Sequence, residues 1–524
     1  MAPHLPAEEA QAAAWLLELR AALCESAVVT DETERRFFSQ DVFSEGHPVE
    51  AIVRPATIEQ LAQAQRLLAR HRVAMLPRGG GLSYTEGYLA PSGPAVVLDL
   101  TALNGLVALN LQDSHVAVEF GMTWAALDTL LAPHGVRTPY WGPLSGLLST
   151  VGGALSQGSV FLGSGLHGPV GDSVLGLEVL SADGELLLTG AAASGNTPPF
   201  TRWFGPDLTG AFIGDAGSLG TKVRASLRLI SRPRELGFLS YEFSDPALAL
   251  AAMSEISRQG LAAECFAFDP YLAEVRLQRA GLMNDAKTLL KVVRQSGLKA
   301  GAKLVGAGRG FVGAGRWSVH ATFEADDAPG LQSRLLAARK ILLPGGVAIE
   351  VSIPQALRAM PFAPPNSILG PAGERWVPVH GVFAHSQAAR GMAVVEEALR
   401  AHASEMQAHG IRVGHLLTTV AAQGVLIEPV FFWPDSHSLY HQRVVQPAYR
   451  QRAGEPATNL EARELMGRIK RDVADAMRQA GAVHFQIGRF YRWREGRDAL
   501  ALALHDALKQ RMDPQGLLNP GVLP

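Results

Sequence analysis

The chain has 524 residues, room for two or three domains. Apolar residues make up 47% and charged residues 18%, so a large core can be buried. The formal net charge of -2 excludes the basic excess that a dedicated nucleic-acid surface needs.

Residues 9 to 24 read as a helix, and 51 to 54 (AIVR) as a short strand. Glu8 and Glu9 stand where a signal peptide would carry a basic segment, so a cytoplasmic chain is expected. Thr57 and Gln60 read as a capping box opening a helix through Arg72. VAMLP (73 to 77), VVLDL (96 to 100) and HVAVEF (115 to 120) read as strands, and Thr123 caps a helix to about Pro133. Residues 138 to 171 contain no Asp, Glu, Lys or Arg but carry nine glycines and His167. That is no membrane span; it suits backbone packed against a large flat ligand.

Asp183-Gly184 between two apolar runs marks a hairpin over 175 to 190, and 220 to 231 reads as a further strand. Short helices mixed with many strands, without regular βαβ alternation, predict an α+β fold rather than a doubly wound sheet. Composition shifts at Arg232-Pro233. Beyond it come strand-like FLSYEF, RWSVHATFEA and GVLIEPVFFW, and helices at 246 to 259, 387 to 403 and 460 to 480. The expected divisions are a helical segment 1–44, a first domain 45–233, a cap domain 234–480 and a returning segment 481–524. Cys24 and Cys265 are too few and too far apart for a disulfide framework and read as buried small hydrophobes.

Three glycine-rich segments carry chemistry. Pro77-Arg78-Gly79-Gly80-Gly81-Leu82-Ser83-Tyr84 follows a strand. It is either a plain glycine turn or an anion nest of backbone N–H groups. Ser149 to Gly158, with His167-Gly168 beyond, leaves little but backbone and hydroxyls as polar groups. It reads as tight packing or as the partner of a polar ring edge. Gly205-Pro206-Asp207 through Gly220-Thr221 again puts small residues before a strand. Gly308-Arg-Gly310-Phe-Val-Gly313 matches a dinucleotide fingerprint in letters only, because a strand pattern follows it rather than a helix.

In this order, with TVGGALSQG, HGPVGDSVLGLEVLSADG, GAFIGDAGSLG and the terminal MDPQGLLNPG, the segments resemble the vanillyl-alcohol oxidase / p-cresol methylhydroxylase superfamily. That superfamily includes D-lactate and glycolate dehydrogenases. The resemblance implies a PCMH-type FAD-binding module under an α+β cap with an antiparallel sheet. It implies FAD contacts at Pro77, Arg78, Gly79, Gly80, Gly81, Leu82, Ser83 and Tyr84. It extends them to Thr150, Gly152, Gly153, Ser156, Gly158 and Gly168, with Val174, Gly217, Gly220 and Asn519 near the cofactor. Leu82 stands where tethered members carry histidine in the loop, so non-covalent FAD is expected.

Departures bear on the activity. The metal motif of the 2-hydroxyacid branch is reduced to Gly414-His415-Leu416-Leu417, and His484 replaces a glutamate. No metal is expected: His380, His385, His437 and His441 are the remaining candidate ligands, and ordinary hydrogen-bonded histidines are the preferred reading. The phenol branch's tyrosine-arginine pair is replaced by Phe485-Gln486, although Tyr84 and Tyr491-Arg492 remain. Flavin oxidation of an alcohol needs a base and a cation near the ring. His380, His484 and His385 are the candidate bases. Arg489 and Arg375 are the candidate cations, and Tyr84 is a further catalytic candidate.

The first expectation is hydride transfer from a CH–OH substrate such as a small 2-hydroxy acid. The second is oxidation of a para-substituted phenol, and the third a flavin-binding assembly partner without turnover. With no haem motif, the electron acceptor is expected to be a separate quinone, cytochrome or O2, with a homodimer as an option.

Overall fold

The computed structural model describes residues 7–203, 205–281, 315–362, 364, 369–451, 454 and 456–524. The Gly308–Gly313 sequence lies outside them. Strands Val28–Val29, Ala51–Val53, Ala95–Asp99 and Ala74–Arg78 form a four-stranded sheet in that order. Its last three strands run parallel, while the first pair is antiparallel. Helix Ile58–Arg70 links the parallel strands and buries Leu61, Ala64, Leu67 and Leu68, the apolar face read from its spacing. Thr57 caps it by accepting from Gln60 N, but the Gln60 side chain bonds Ala56 N, so the reciprocal half of the expected box is absent.

A second, five-stranded antiparallel sheet runs Leu106–Asn110, His115–Glu119, Thr221–Arg228, Val174–Leu180, Leu186–Leu188. It contains the expected 183–184 turn. Helix Val151–Gln157, capped by Thr150, lies in the sequence gap between these strands. The C-terminal segment returns to the first sheet. Met75 N donates to Leu517 O at 2.8 Å, and Asn519 N donates to Met75 O at 2.8 Å.

From residue 235 the chain enters an eight-stranded antiparallel sheet. Its central strands are Glu235–Phe243, Trp317–Ala325, Glu264–Phe268, Arg412–Val420 and Gly424–Phe432. The register sorts its side chains. Leu239, Tyr241, Cys265, Val319, Ala321, Leu417, Val425 and Ile427 face one side and form a buried core with helices 246–258, 328–342, 388–401 and 460–479. On the other side Ser240 pairs His320, His320 pairs Phe266, Phe268 pairs Leu416, and Leu416 pairs Glu428. That second face turns toward the glycine-rich segments. Cys265 is buried as expected; Cys24 is exposed, at the end of the first helix, where no core reaches it.

A buried charge network joins the two halves. Arg137 donates to Glu324 at 2.5 Å and to the carbonyls of Thr138 and Pro139 at 3.0 and 2.7 Å. Arg358 bridges Glu324 and, at 3.1 Å, Glu264; Glu264 also accepts from Gly163 N at 2.9 Å. Two cations and two carboxylates thus neutralise one another away from water. Removing one member leaves an uncompensated buried charge. Glu324→Gln is expected to lower stability in urea unfolding by about 3 kcal/mol. An unchanged midpoint would show that the network does not clamp the cap.

Candidate functional site

The loop after strand Ala74–Arg78 has its carbonyls taken from behind. Gly81 O accepts from the Tyr440 hydroxyl at 2.6 Å. Ser83 O accepts from Val42 N at 3.1 Å and from the Tyr88 hydroxyl at 3.3 Å. Tyr84 O takes Lys470 Nζ at 3.3 Å, and Thr85 O takes Arg489 N at 3.0 Å. Glu86 O and Gly87 O accept from Arg489 Nη1 and Asn519 Nδ2, both at 2.5 Å. Among the described residues, none of the N–H groups of 79 to 85 donates to a protein acceptor.

These N–H groups border a cleft enclosing about 1530 Å³ of space, part of it open to solvent. Pro77 to Tyr84 line it with Thr150, Gly152, Gly153, Ser156, Gly217 and Gly220, so the three glycine-rich segments meet. Close approach explains two glycines. A Cβ at Gly80 would land on the Leu148 carbonyl, and Gly81 has φ +71° with Arg78's guanidinium where its Cβ would be. Arg78 is 3% exposed. It lies over the rings of Phe37, Phe38 and Tyr88 at 5.2, 4.3 and 5.2 Å, and its Nε and Nη1 have no acceptor. Lys222 also lines the cleft, paired with buried Asp215. Spare N–H donors and the Arg78 guanidinium along a long cleft suit an anionic dinucleotide. The residues present therefore fit FAD.

At the cap end the walls are Tyr84, Phe161, Trp376, Leu416, Leu426, Glu428, Phe485 and Gln486. Gln486 Nε2 donates to the Tyr84 hydroxyl at 3.0 Å, and Gln486 N donates to Gln157 O at 2.8 Å. Burial, then the nearby Glu428 carboxyl, pushes the Tyr84 phenol well above its ordinary value. Tyr84 is thus a neutral hydroxyl at the wall. Glu428 is the only carboxylate among the described lining residues. Sequence reasoning missed it, although GVLIEPVFFW carries one acid in an apolar run. Lys222, Trp376 and Phe161 were missed as well.

Of the catalytic candidates only Tyr84 lines the cleft. His380 is fully buried behind it: its ring stacks on Phe485 at 4.1 Å and meets Tyr84 edge-on at 5.8 Å. Its Nδ1 pairs with the Tyr491 hydroxyl at 3.2 Å, and burial lowers it to about 3, too weak a base at neutral pH. His484 packs on Tyr491 at 4.2 Å and bonds His380 O at 2.7 Å, and burial lowers its pKa too. His385 bonds Ala422 O at 3.2 Å. Arg375 pairs with Asp435 at 3.2 Å, and Arg489 holds Pro520 O and Asn519. These five support the framework rather than the cleft wall.

Four expected cofactor contacts also lie off the wall. Gly158 ends helix Val151–Gln157 with φ +66°, and Gly168 turns at φ +81° against Asp172. Val174 is 2% exposed in the core under the five-stranded sheet. Asn519 is fully buried and clips Gly87 O to Ala216 O. At the two glycines, small size and positive φ serve turns. His415 pairs with Asp269 at 3.0 Å, and His437 and His441 bond Pro371 O and Ser438. Among the described residues, no group of three or more His, Cys, Asp or Glu has the arrangement of a metal site, and no helix is long and apolar enough to cross a membrane.

Residues 49–190 match the family described as FAD binding domain. The chain is 25% identical over 251 residues to glycolate oxidase subunit GlcD of Bacillus subtilis, covering 47% of this chain and 52% of that one. It is 28% identical over 215 residues to a probable mitochondrial D-lactate dehydrogenase of Danio rerio, covering 41% and 42%. The match thus spans about half the length of these curated relatives. The fold superimposes on 4-ethylphenol oxidase from Gulosibacter chungangensis with a TM-score of 0.72 at 16% identity, covering 99% of this chain and 98% of that one.

Gly81→Ala forces a side chain into left-handed backbone and against Arg78, a strain of about 1–2 kcal/mol. The purified variant is expected to bind FAD roughly tenfold more weakly, read from flavin-to-protein absorbance. Flavin content equal to wild type would remove the loop from the cofactor site.

Proposed function

We propose that this chain, whose residues 49–190 match the family described as FAD binding domain, is a flavoprotein that oxidises a neutral, hydroxyl-bearing organic substrate at the cap end of the cleft. The observation that carries this reading is the placement of Glu428. The carboxyl stands on the cleft-facing side of the cap sheet and lines the same cleft as Tyr84 and the glycine-rich segments.

Bound FAD, held without a covalent tether, would supply the hydride acceptor. The protein's own groups do the rest. Loop N–H groups, Arg78 and Lys222 hold the dinucleotide. Tyr84 and Gln486 orient the substrate hydroxyl, and Glu428 takes its proton. Phe161, Trp376, Leu416 and Phe485 keep water out and prefer a flat apolar body.

The charge at this end sets the substrate order. Arg78 and Lys222 belong to the glycine-loop end, and among the described lining residues the cap end has only the acid Glu428. A substrate carboxylate there would meet the like charge of Glu428. Aromatic or benzylic alcohols and 4-alkylphenols therefore come first. The named glycolate and D-lactate relatives support a 2-hydroxy acid as the second reading.

Anaerobic mixing with benzylic alcohols, 4-alkylphenols, glycolate and D-lactate, followed by flavin absorbance, tests this. Bleaching by the neutral compounds is expected; bleaching by the acids alone would reverse the order, and none at all would favour a non-catalytic role. Glu428→Gln is expected to slow bleaching by about 10²- to 10⁴-fold at unchanged FAD content. A variant as fast as wild type would end Glu428's assignment as the base.

A further inference from the structure

We infer that Lys470 is a positioning residue: from behind the glycine loop it fixes Tyr84 in the geometry that receives FAD, and so ties cofactor binding to the cap domain. This rests on the FAD reading of the cleft. Lys470 projects from cap helix Leu460–Gln479 and is 2% exposed. Its ammonium donates to Tyr84 O at 3.3 Å and lies over the rings of Phe43 and Phe490 at 4.5 and 4.3 Å. Among the described residues, no carboxylate is within ion-pair distance of it.

The charged and titratable groups around it come from several elements. Asp41 and Glu86 face it from the loop side, Arg471 from its own helix, and His380 from the cap. Asp41 does not neutralise it directly. That carboxylate accepts from the N–H groups of Phe43, Ser44 and Glu86 at 2.8, 2.6 and 2.9 Å. Asp41 therefore anchors Glu86 while Lys470 holds Tyr84, two residues earlier in the same loop.

A buried ammonium is a poor way to fill space, since methionine has similar length and no desolvation penalty. What the charge adds is a strong donor to one carbonyl. The peptide unit is planar, with C=O and N–H opposed. Holding Tyr84 O back therefore turns Thr85 N–H the other way and fixes the residue whose ring lines the cleft. Burial lowers the Lys470 ammonium to about 8, so it loses its proton in a range where the phosphates of FAD do not titrate.

FAD affinity of the flavin-stripped protein, followed by quenching of flavin fluorescence at pH 7 and pH 9, tests the assignment. The wild-type Kd is expected to rise roughly tenfold between the two, the loss of one charge-assisted bond. Lys470→Met should bind about tenfold more weakly at pH 7 and show no further change at pH 9. Lys470→Arg, which stays charged, should keep the pH 7 affinity and lose the pH dependence. It decides the matter alone if the methionine variant does not fold.

Variants that lower the melting temperature yet keep wild-type Kd and pH dependence would reduce Lys470 to a packing role and overturn the inference. Failure of the wild type to bind FAD at either pH would overturn the cofactor reading itself, and this inference with it.

Discussion

The site depends on one constraint: the carbonyls of the glycine loop are held from behind. A peptide plane cannot point both its dipole ends the same way. Once Tyr440, Val42, Lys470, Arg489 and Asn519 have taken the oxygens of Gly81 and of Ser83 to Gly87, the N–H groups of Leu82, Tyr84 and Thr85, opposed to three of them, are left for a ligand. The glycines permit that backbone but do not impose it. The partners come from the N-terminal segment, the cap and the C-terminal return, so the anion site is a product of the whole chain's fold. The terminal MDPQGLLNPG has a concrete part in this. Its Asn519 ties Gly87 to Ala216, joining the first and third glycine-rich segments through one side chain.

The cap sheet is set by a second constraint, the buried network of Arg137, Arg358, Glu264 and Glu324. Glu264 and Phe266 lie on one face of one strand, and Phe266 leads across the register to Thr418 and Leu426. Fixing Glu264 against Gly163 therefore fixes where that face meets the cleft, and with it the position of Glu428. Ion pairs of this kind contribute little net stability, but they resist sliding because each charge has one acceptable partner. A sheet that carries Glu428 as the proposed proton acceptor gains from that resistance, since catalytic geometry tolerates little displacement.

How legible was this in the sequence? Period and capping gave the α+β class, the helices near 58–70, 246–258 and 460–479, and the 183–184 hairpin, because those signals are local. The three glycine-rich segments pointed to one cleft, and they line it. Side-chain roles were less legible. His380 looked like a base because histidine titrates near neutrality, but burial between Phe485, Tyr84 and Tyr491 removes that property, and no spacing rule reports burial. Val174 was placed at the cofactor by resemblance, but its position in the strand turns it into the core. Glu428 was passed over because its strand is apolar on both faces and shows no alternation. A single acid in such a run is itself the signal, since burying a carboxylate is unfavourable unless a partner or a task compensates.

The division of labour also accounts for how little sequence this fold shares with its neighbours. At 16% identity the chain still overlays nearly all of 4-ethylphenol oxidase. Where backbone N–H groups hold the cofactor, side chains can change as long as carbonyls keep donors and glycines keep their φ values. Tyr440 or Lys470 could be exchanged for other donors without altering what the ligand meets. The cap end is different, because Glu428, Tyr84, Gln486 and the aromatic walls act through their side chains. Phe485-Gln486 bring a phenyl ring and an amide to this wall, and exchanging them for a tyrosine-arginine pair would add a cation. Such a change alters the charge the cleft accepts and leaves the loop, the sheets and the junction network untouched, so a new substrate preference can arise on an unchanged frame.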